Sequence, residues 1–391
     1  MKYNFDKVID RSGTSAEKVE GLKHIWGRTD LIPLWVADMD FATAPFVTDA
    51  IRKRCENEVL GYTGKPDSYY NAIINWVKQR YDLIVTKEVI NFVPGIVPGI
   101  GMAMNCFTQK GDKVMIQPPV SHHFAWVTTR NERTLVINPL KWENGMYRMD
   151  LDAFREQIKG CKLFILCNPH NPGGVVWTEA ELRAIADICY DEKVLVFSDE
   201  IHADLTLPPH THRPFATVSE KARMNSVTFM SPSKAFNMPG LSASHALIFN
   251  EDLRKRFRIY MDAGELDMGH VFAFLSVEAA YSHGTEWLDQ CLAYIQGNID
   301  FVDEFLKKHA PKIKAIRPEA SYLVWLDCRE LELSQKDLNE FFVDKAHLAL
   351  NDGEMFGKEG IGFMRLNVAS PRCIIEKAMK QLADAYQLYI K

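Results

Sequence analysis

The chain has 391 residues, 47% of them hydrophobic, and carries 46 Lys/Arg against 51 Asp/Glu for a formal net charge of -5. This is ample apolar material for a large core in two or three domains, whereas the scattered basic residues leave no electrostatic footprint for nucleic acid or an anionic membrane. The first residues lack the apolar core of a signal peptide, no segment has the unbroken apolar span of a membrane helix, and the eight cysteines form no CxxC pair, so free thiols in a reducing cytoplasm are expected.

Residues 1–44 are mixed in composition, and PLWVADMDF at 33–41 follows neither a helical nor a strand period. Helical periodicity runs from Phe46 through Cys55 and again over 69–81, separated by the Gly/Pro-punctuated loop LGYTGKPD with Tyr62 near its start. A strand at 89–93 then enters PGIVPGIGMAM. Here Pro98 suits a first helical position, and the amides near Ile96 and Val97 are left to hold an anion. Gly99 and Gly101 lack the third glycine of a dinucleotide fingerprint, so the turn reads as a phosphate cradle.

Further apolar runs at 113–116, 162–166, 194–197 and 227–230 read as buried strands. Thr178 and Glu181 form a capping box before the apolar positions Leu182, Ile185 and Ile188, which places a helix between two of these strands. Each run ends in polar residues: Asn168 and Asn171, then Asp199, then Ser231 and Lys234. Right-handed crossovers bring such ends to one edge of a sheet. The expected fold is therefore α/β, a mostly parallel doubly wound sheet in a large domain over 45–288. One long amphipathic stretch at 277–308 leads to a smaller α+β domain built from 1–44 and 289–391. Its expected strands are 322–326 and 362–368, the second carrying Arg365, and its last helix runs from about Cys373 to Tyr389.

Taken singly, each polar residue has a structural explanation: Asp199 as a helix cap, Asn168 and Asn171 as turn formers, Ser231 in a turn, Arg365 in an interdomain ion pair. Together, an amine, a carboxylate, an asparagine and a phosphate cradle at one sheet edge are what pyridoxal phosphate requires. Lys234 would hold the aldehyde, Asp199 the ring nitrogen and Asn171 the ring hydroxyl. Amides near Ile96 and Val97, with the Ser231 hydroxyl, would hold the phosphate, and the planar fork of Arg365 suits a substrate α-carboxylate.

The motifs NPHNPGG, SDEIH and SPSK resemble the fold type I pyridoxal-phosphate enzymes of the class I/II aminotransferase superfamily over nearly the whole chain. PLWVADMDF, LGYTGKPD, SDEIHADL and RLNVASPR resemble the MalY/PatB family of cystathionine β-lyases within it. The resemblance implies the same roles for Lys234, Asp199, Asn171 and Arg365. It adds His202 near the ring hydroxyl, the Ala37 backbone as a substrate contact, and Tyr62 reaching the cofactor phosphate of the neighbouring subunit in a homodimer. It implies α,β-elimination of L-cystathionine or a related cysteine S-conjugate to pyruvate, ammonia and a thiol. The alternatives are an aminotransferase and a regulatory protein acting through protein contacts. Two positions depart from the wider pattern. Ser121 stands where the family stacks an aromatic ring on the cofactor, leaving His122 or His123 to replace it or to be loop residues, and no ligand cluster points to a metal. Ser242 stands where aspartate aminotransferase-like relatives carry an arginine for the phosphate, which matches the lyase branch.

Overall fold

Largely apolar runs, covered on both faces except in the edge strand Thr134–Ile137, form the central sheet of the protein, whose computed structural model describes residues 3–389. Residues 1–2 and 390–391, at the ends of the expected smaller domain, lie outside the described residues. The strands are β1 (Ile90–Val93), β2 (Lys113–Ile116), β3 (Thr134–Ile137), β4 (Cys161–Cys167), β5 (Leu195–Asp199), β6 (Ser226–Met230) and β7 (Ser244–Leu247). Their order is β1-β7-β6-β5-β4-β2-β3. Only β7 runs antiparallel to its neighbours, so the sheet is mostly parallel as expected.

The helices that position the site are α1 (Glu17–Trp26), α2 (Ile96–Phe107), α3 (His122–Arg130), α4 (Glu179–Asp191), α5 (Val271–His283) and α6 (Thr285–His309). The capping box on α4 is complete, with Thr178 and Glu181 satisfying each other's backbone amides. At Gly99 an added Cβ would stand 2.9 Å from Val93 and 3.2 Å from Phe229. Glycine therefore lets α2 lie directly against β1 and β6.

Two local expectations change. The α2 helix begins at Ile96 behind an N-cap at Gly95, so Pro98 is its third residue, where a missing N–H still costs no intrahelical bond. The stretch 277–308 is not one helix: α5 ends at His283 and α6 starts at Thr285. A Cβ on Gly284 between them would stand 2.2 Å from the Ala280 carbonyl oxygen and 2.4 Å from the Phe236 ring. The break is a close approach that hydrophobic periodicity does not register.

Beyond α6 lies a four-stranded antiparallel sheet of β8 (Lys314–Ile316), β9 (Leu323–Asp327), β10 (Asn351–Asp352) and β11 (Phe363–Asn367), in the order β8-β9-β11-β10. Residues 32–41 join this unit to the large sheet. Ile32 and Leu34 donate backbone bonds to His347 and Ala349, Asn367 donates to Leu34, and Asp40 donates to Ala369. From the large-sheet side, Asn237 donates to the carbonyls of Met39 and Phe41 at 3.0 and 2.7 Å. The segment lacks a period because its backbone serves two elements at once. No helix among the described residues is long and apolar enough to cross a membrane.

Candidate active site

The carboxyl ends of β4, β5 and β6 converge with β11 around one pocket. Lys234 follows β6 by four residues, and its Nζ donates to the Ala37 carbonyl at 2.5 Å. Burial first, then Arg365, draws this amine down to about 8, against the opposing pull of Asp38 and Asp199. Asp199 is the last residue of β5 and accepts the Ile201 amide at 3.1 Å. Burial pushes its carboxyl up to about 7, with Glu200 adding to the rise and the Ile201 amide and Lys234 opposing it. A carboxyl so placed gains most from a cationic partner.

Arg365 comes from β11 and is 7% exposed. It donates to Asn171 Oδ1 (3.1 Å), Asn351 Oδ1 (2.7 Å) and the Trp35 carbonyl (3.2 Å), and its guanidinium lies 4.7 Å from the Phe356 ring centre. Its Nε has no partner, and among the described residues no carboxylate pairs with it. Burial draws it down to about 10. This is a buried cation lacking an anion.

His202, three residues after Asp199, is buried with Nδ1 unpartnered. Burial, then Lys234 and Arg365, keeps it neutral down to about 3. Tyr322, before β9, donates to the same Ala37 carbonyl at 3.0 Å. The N-terminus of α2 has no side-chain cap, so the Ile96 and Val97 amides have no intrahelical acceptor. Ser231 lies at the same corner, since Ser244 pairs with Val93 and the Ser231 hydroxyl reaches the neighbouring Ala243 carbonyl at 2.7 Å. It also contacts Ser233 Oγ at 2.9 Å. The hydroxyl is thus engaged within its own loop.

Tyr62 does not reach this pocket within one chain. It is 98% exposed, beside the exposed Val59 and Leu60. Ser121 precedes α3 without capping it, and its Oγ stands 3.4 Å from His123 Nδ1. Burial first, then the field of Lys234, Arg365 and Arg130, lowers the His123 pKa. His122 turns instead against Trp126, 4.4 Å between ring centres, and borders a cavity of about 300 Å³ shared with Ser121 and Phe356.

The sequence reading missed Arg11, Lys18, Asp38 and Asp40, which form one charge cluster against this pocket, and Tyr322, Asn351 and Phe356, which line or brace it. The available signal was the paired acids of ADMD, which have no local basic partner.

The model of the family described as aminotransferase class I and II matches residues 29–382. Cystathionine beta-lyase PatB of Bacillus subtilis is 37% identical over 384 residues, covering 98% of this chain and 99% of its own. A PLP-bound putative aminotransferase from Clostridium difficile 630 has a similar structure, with a TM-score of 0.96 at 40% identity, over 98% of this chain and 100% of its own. The PLP-bound C-S lyase from Staphylococcus hominis gives a TM-score of 0.91 at 35% identity, over 99% and 98%.

Proposed function

Because the chain belongs to the class I and II aminotransferase family, we propose that it is a pyridoxal-phosphate-dependent carbon–sulfur lyase of the cystathionine β-lyase type. It would split L-cystathionine or a related cysteine S-conjugate, with water, into pyruvate, ammonia and a thiol. The observation that carries this reading is the pairing of a covered amine of lowered pKa with a buried, anion-free guanidinium across one pocket. The similarity to PatB and to the Staphylococcus hominis C-S lyase selects this reaction among those the same residues support.

The side chains suit the cofactor. Asp199 is a buried carboxyl without a cation bonded to it, the α2 N-terminus is uncapped, and His202 Nδ1 is unpartnered. When bound, pyridoxal phosphate supplies a carbonyl for covalent attachment and a ring that accepts electrons from the substrate α-carbon. Asp199 would take the ring nitrogen, while Asn171 and His202 would lie by the ring hydroxyl. The Ile96 and Val97 amides would take the phosphate, with Ser231 as a further donor once its loop bonds are exchanged. Arg365 binds both oxygens of the substrate carboxylate, and Ala37 offers a backbone carbonyl beside it. Lys234, with its pKa drawn toward neutrality, removes the α-proton and can return it.

Tyr62 completes the site from a neighbouring copy in the homodimer, a reading supported by its exposure together with Val59 and Leu60. Mixing the inactive Tyr62→Ala and Lys234→Ala proteins under exchange conditions should restore activity, because one site of each hybrid dimer then lacks neither residue. Persistent inactivity with subunit exchange demonstrated would sink the shared site. The two-domain division at 45–288 and 1–44/289–391 is supported by the two separate sheets, and limited proteolysis between them would test it. A cytoplasmic location is supported by all eight cysteines being free, and cell fractionation would test it.

The deciding experiment mixes cofactor-loaded protein with L-cystathionine in the absence of a keto acid. Pyruvate and free thiol should appear in equal amounts. Accumulation of pyridoxamine phosphate without pyruvate would replace the lyase with an aminotransferase.

A further inference from the structure

Four charged side chains that the proposed reaction does not use meet on the outer side of residues 35–40. Lys18, on α1, is fully buried, a place lysine rarely takes without a partner. Its Nζ stands 2.8 Å from Asp40 Oδ2 and 3.6 Å from Asp38 Oδ1. Arg11 reaches the same two carboxylates, at 2.7 Å from Asp38 and 3.3 Å from Asp40. Two cations balance two anions, and removing any member leaves a poorly hydrated charge uncompensated.

The inner side of the same segment faces the site. The Trp35 carbonyl accepts from Arg365, and the Ala37 carbonyl accepts from Lys234 and Tyr322. Asn367 ties down the carbonyls on either side of Ala37, at 2.7 Å to Val36 and 2.6 Å to Asp38, and the Trp35 indole donates to the Lys18 carbonyl at 3.0 Å. Asp38, a member of the buried ion cluster, directly follows the residue whose carbonyl holds the reactive amine.

We propose that Arg11 and Lys18 are positioning residues: by neutralising Asp38 and Asp40 they hold the Ala37 carbonyl against Lys234 and fix the net charge that this amine meets. The inference deepens the lyase reading and rests on its assignment of Lys234. The other groups facing Lys234 are Arg365 and Tyr322 from the smaller sheet's side, Asp199 and His202 from the end of β5, and His123 from α3. Both histidines are shifted toward the neutral form and Tyr322 toward the protonated form, so the fixed charges near the amine are Arg365, Asp38, Asp40 and the cluster's two cations, while Asp199, raised to about 7, titrates just below the amine in every variant alike.

The sign follows. Loss of the Lys18 charge leaves Asp38 and Asp40 with one cation, which favours the protonated amine and raises its pKa. Loss of the Asp38 charge leaves a cation in excess and lowers it.

The test is the pH dependence of the rate at which cofactor-free protein captures pyridoxal phosphate, since only the unprotonated amine reacts. The midpoint should rise by about one unit in Lys18→Met and fall by about as much in Asp38→Asn. It should return to the wild-type value in Lys18→Arg. Arg11→Gln, at a partly exposed position, should shift it in the same direction as Lys18→Met and serves if that variant does not fold. The low-pH limb of kcat, which reports the amine once substrate has freed it from the cofactor, should move with the midpoint. Unchanged midpoints, or the same direction of shift in Lys18→Met and Asp38→Asn, would overturn the proposal and leave the cluster a packing role. If the midpoints move as stated but L-cystathionine yields no thiol, the positioning role stands and the lyase reading fails.

Discussion

Lys234→Ala should lower turnover of L-cystathionine by about 10⁴-fold or more and abolish the visible absorption of covalently held cofactor. The protein should still fold. The substitution removes one donor from the Ala37 carbonyl, but the Tyr322 hydroxyl remains bonded to it, so no buried acceptor is stranded. The unfolding midpoint should therefore stay close to that of the unaltered protein. Activity above about a hundredth of wild type in a correctly folded variant would remove Lys234 from the chemistry, since acid–base and covalent catalysis together exceed that factor.

Arg365→Ala should reduce kcat/KM for the amino acid by about 10² to 10³-fold, chiefly through KM, while cofactor affinity changes far less. The reason lies in the partners of the guanidinium. All three are neutral oxygens, and Nε has none, so on the proposed reading the substrate carboxylate supplies the counter-charge. Truncation also strands the Asn351 amide oxygen and the Trp35 carbonyl, which adds a structural cost. Arg365→Lys separates the two effects, because it keeps the charge and loses the fork that binds both carboxylate oxygens. Its kcat/KM should fall between those of wild type and Arg365→Ala. Equal losses of cofactor and substrate affinity in both variants would assign Arg365 to the architecture alone.

The sheet was legible because strands covered on both faces, such as most of β4 and, apart from Ser226 and Thr228, β6, are largely apolar runs. Their polar ends then announce themselves by contrast. The capping box made α4 certain in the same way, through bonds between residues three apart. What sequence could not show was set by distant partners. Nothing near Gly284 announces the Phe236 ring that divides α5 from α6. Nothing near 33–41 announces Asn237, His347 or Ala369. Lys18 sits in a helix of ordinary surface composition, yet it is wholly buried because Asp38 and Asp40 fold over it. Ser231 was read as a free donor, whereas its hydroxyl is held by Ala243 and Ser233. The roles of His202, Ala37 and Tyr62 came from family resemblance, and geometry within one chain reaches only the first two.

The tie between residues 32–41 and the smaller sheet also orders events on the ribosome. Every strand of the large sheet, with Asn171, Asp199 and Lys234 at their ends, is synthesised before His347, Ala349, Asn367 and Ala369 exist to receive the early segment. Arg365 emerges at that same late stage. On the proposed assignment, the residues that would hold the cofactor ring and aldehyde are therefore made well before the guanidinium that would bind the amino acid's carboxylate.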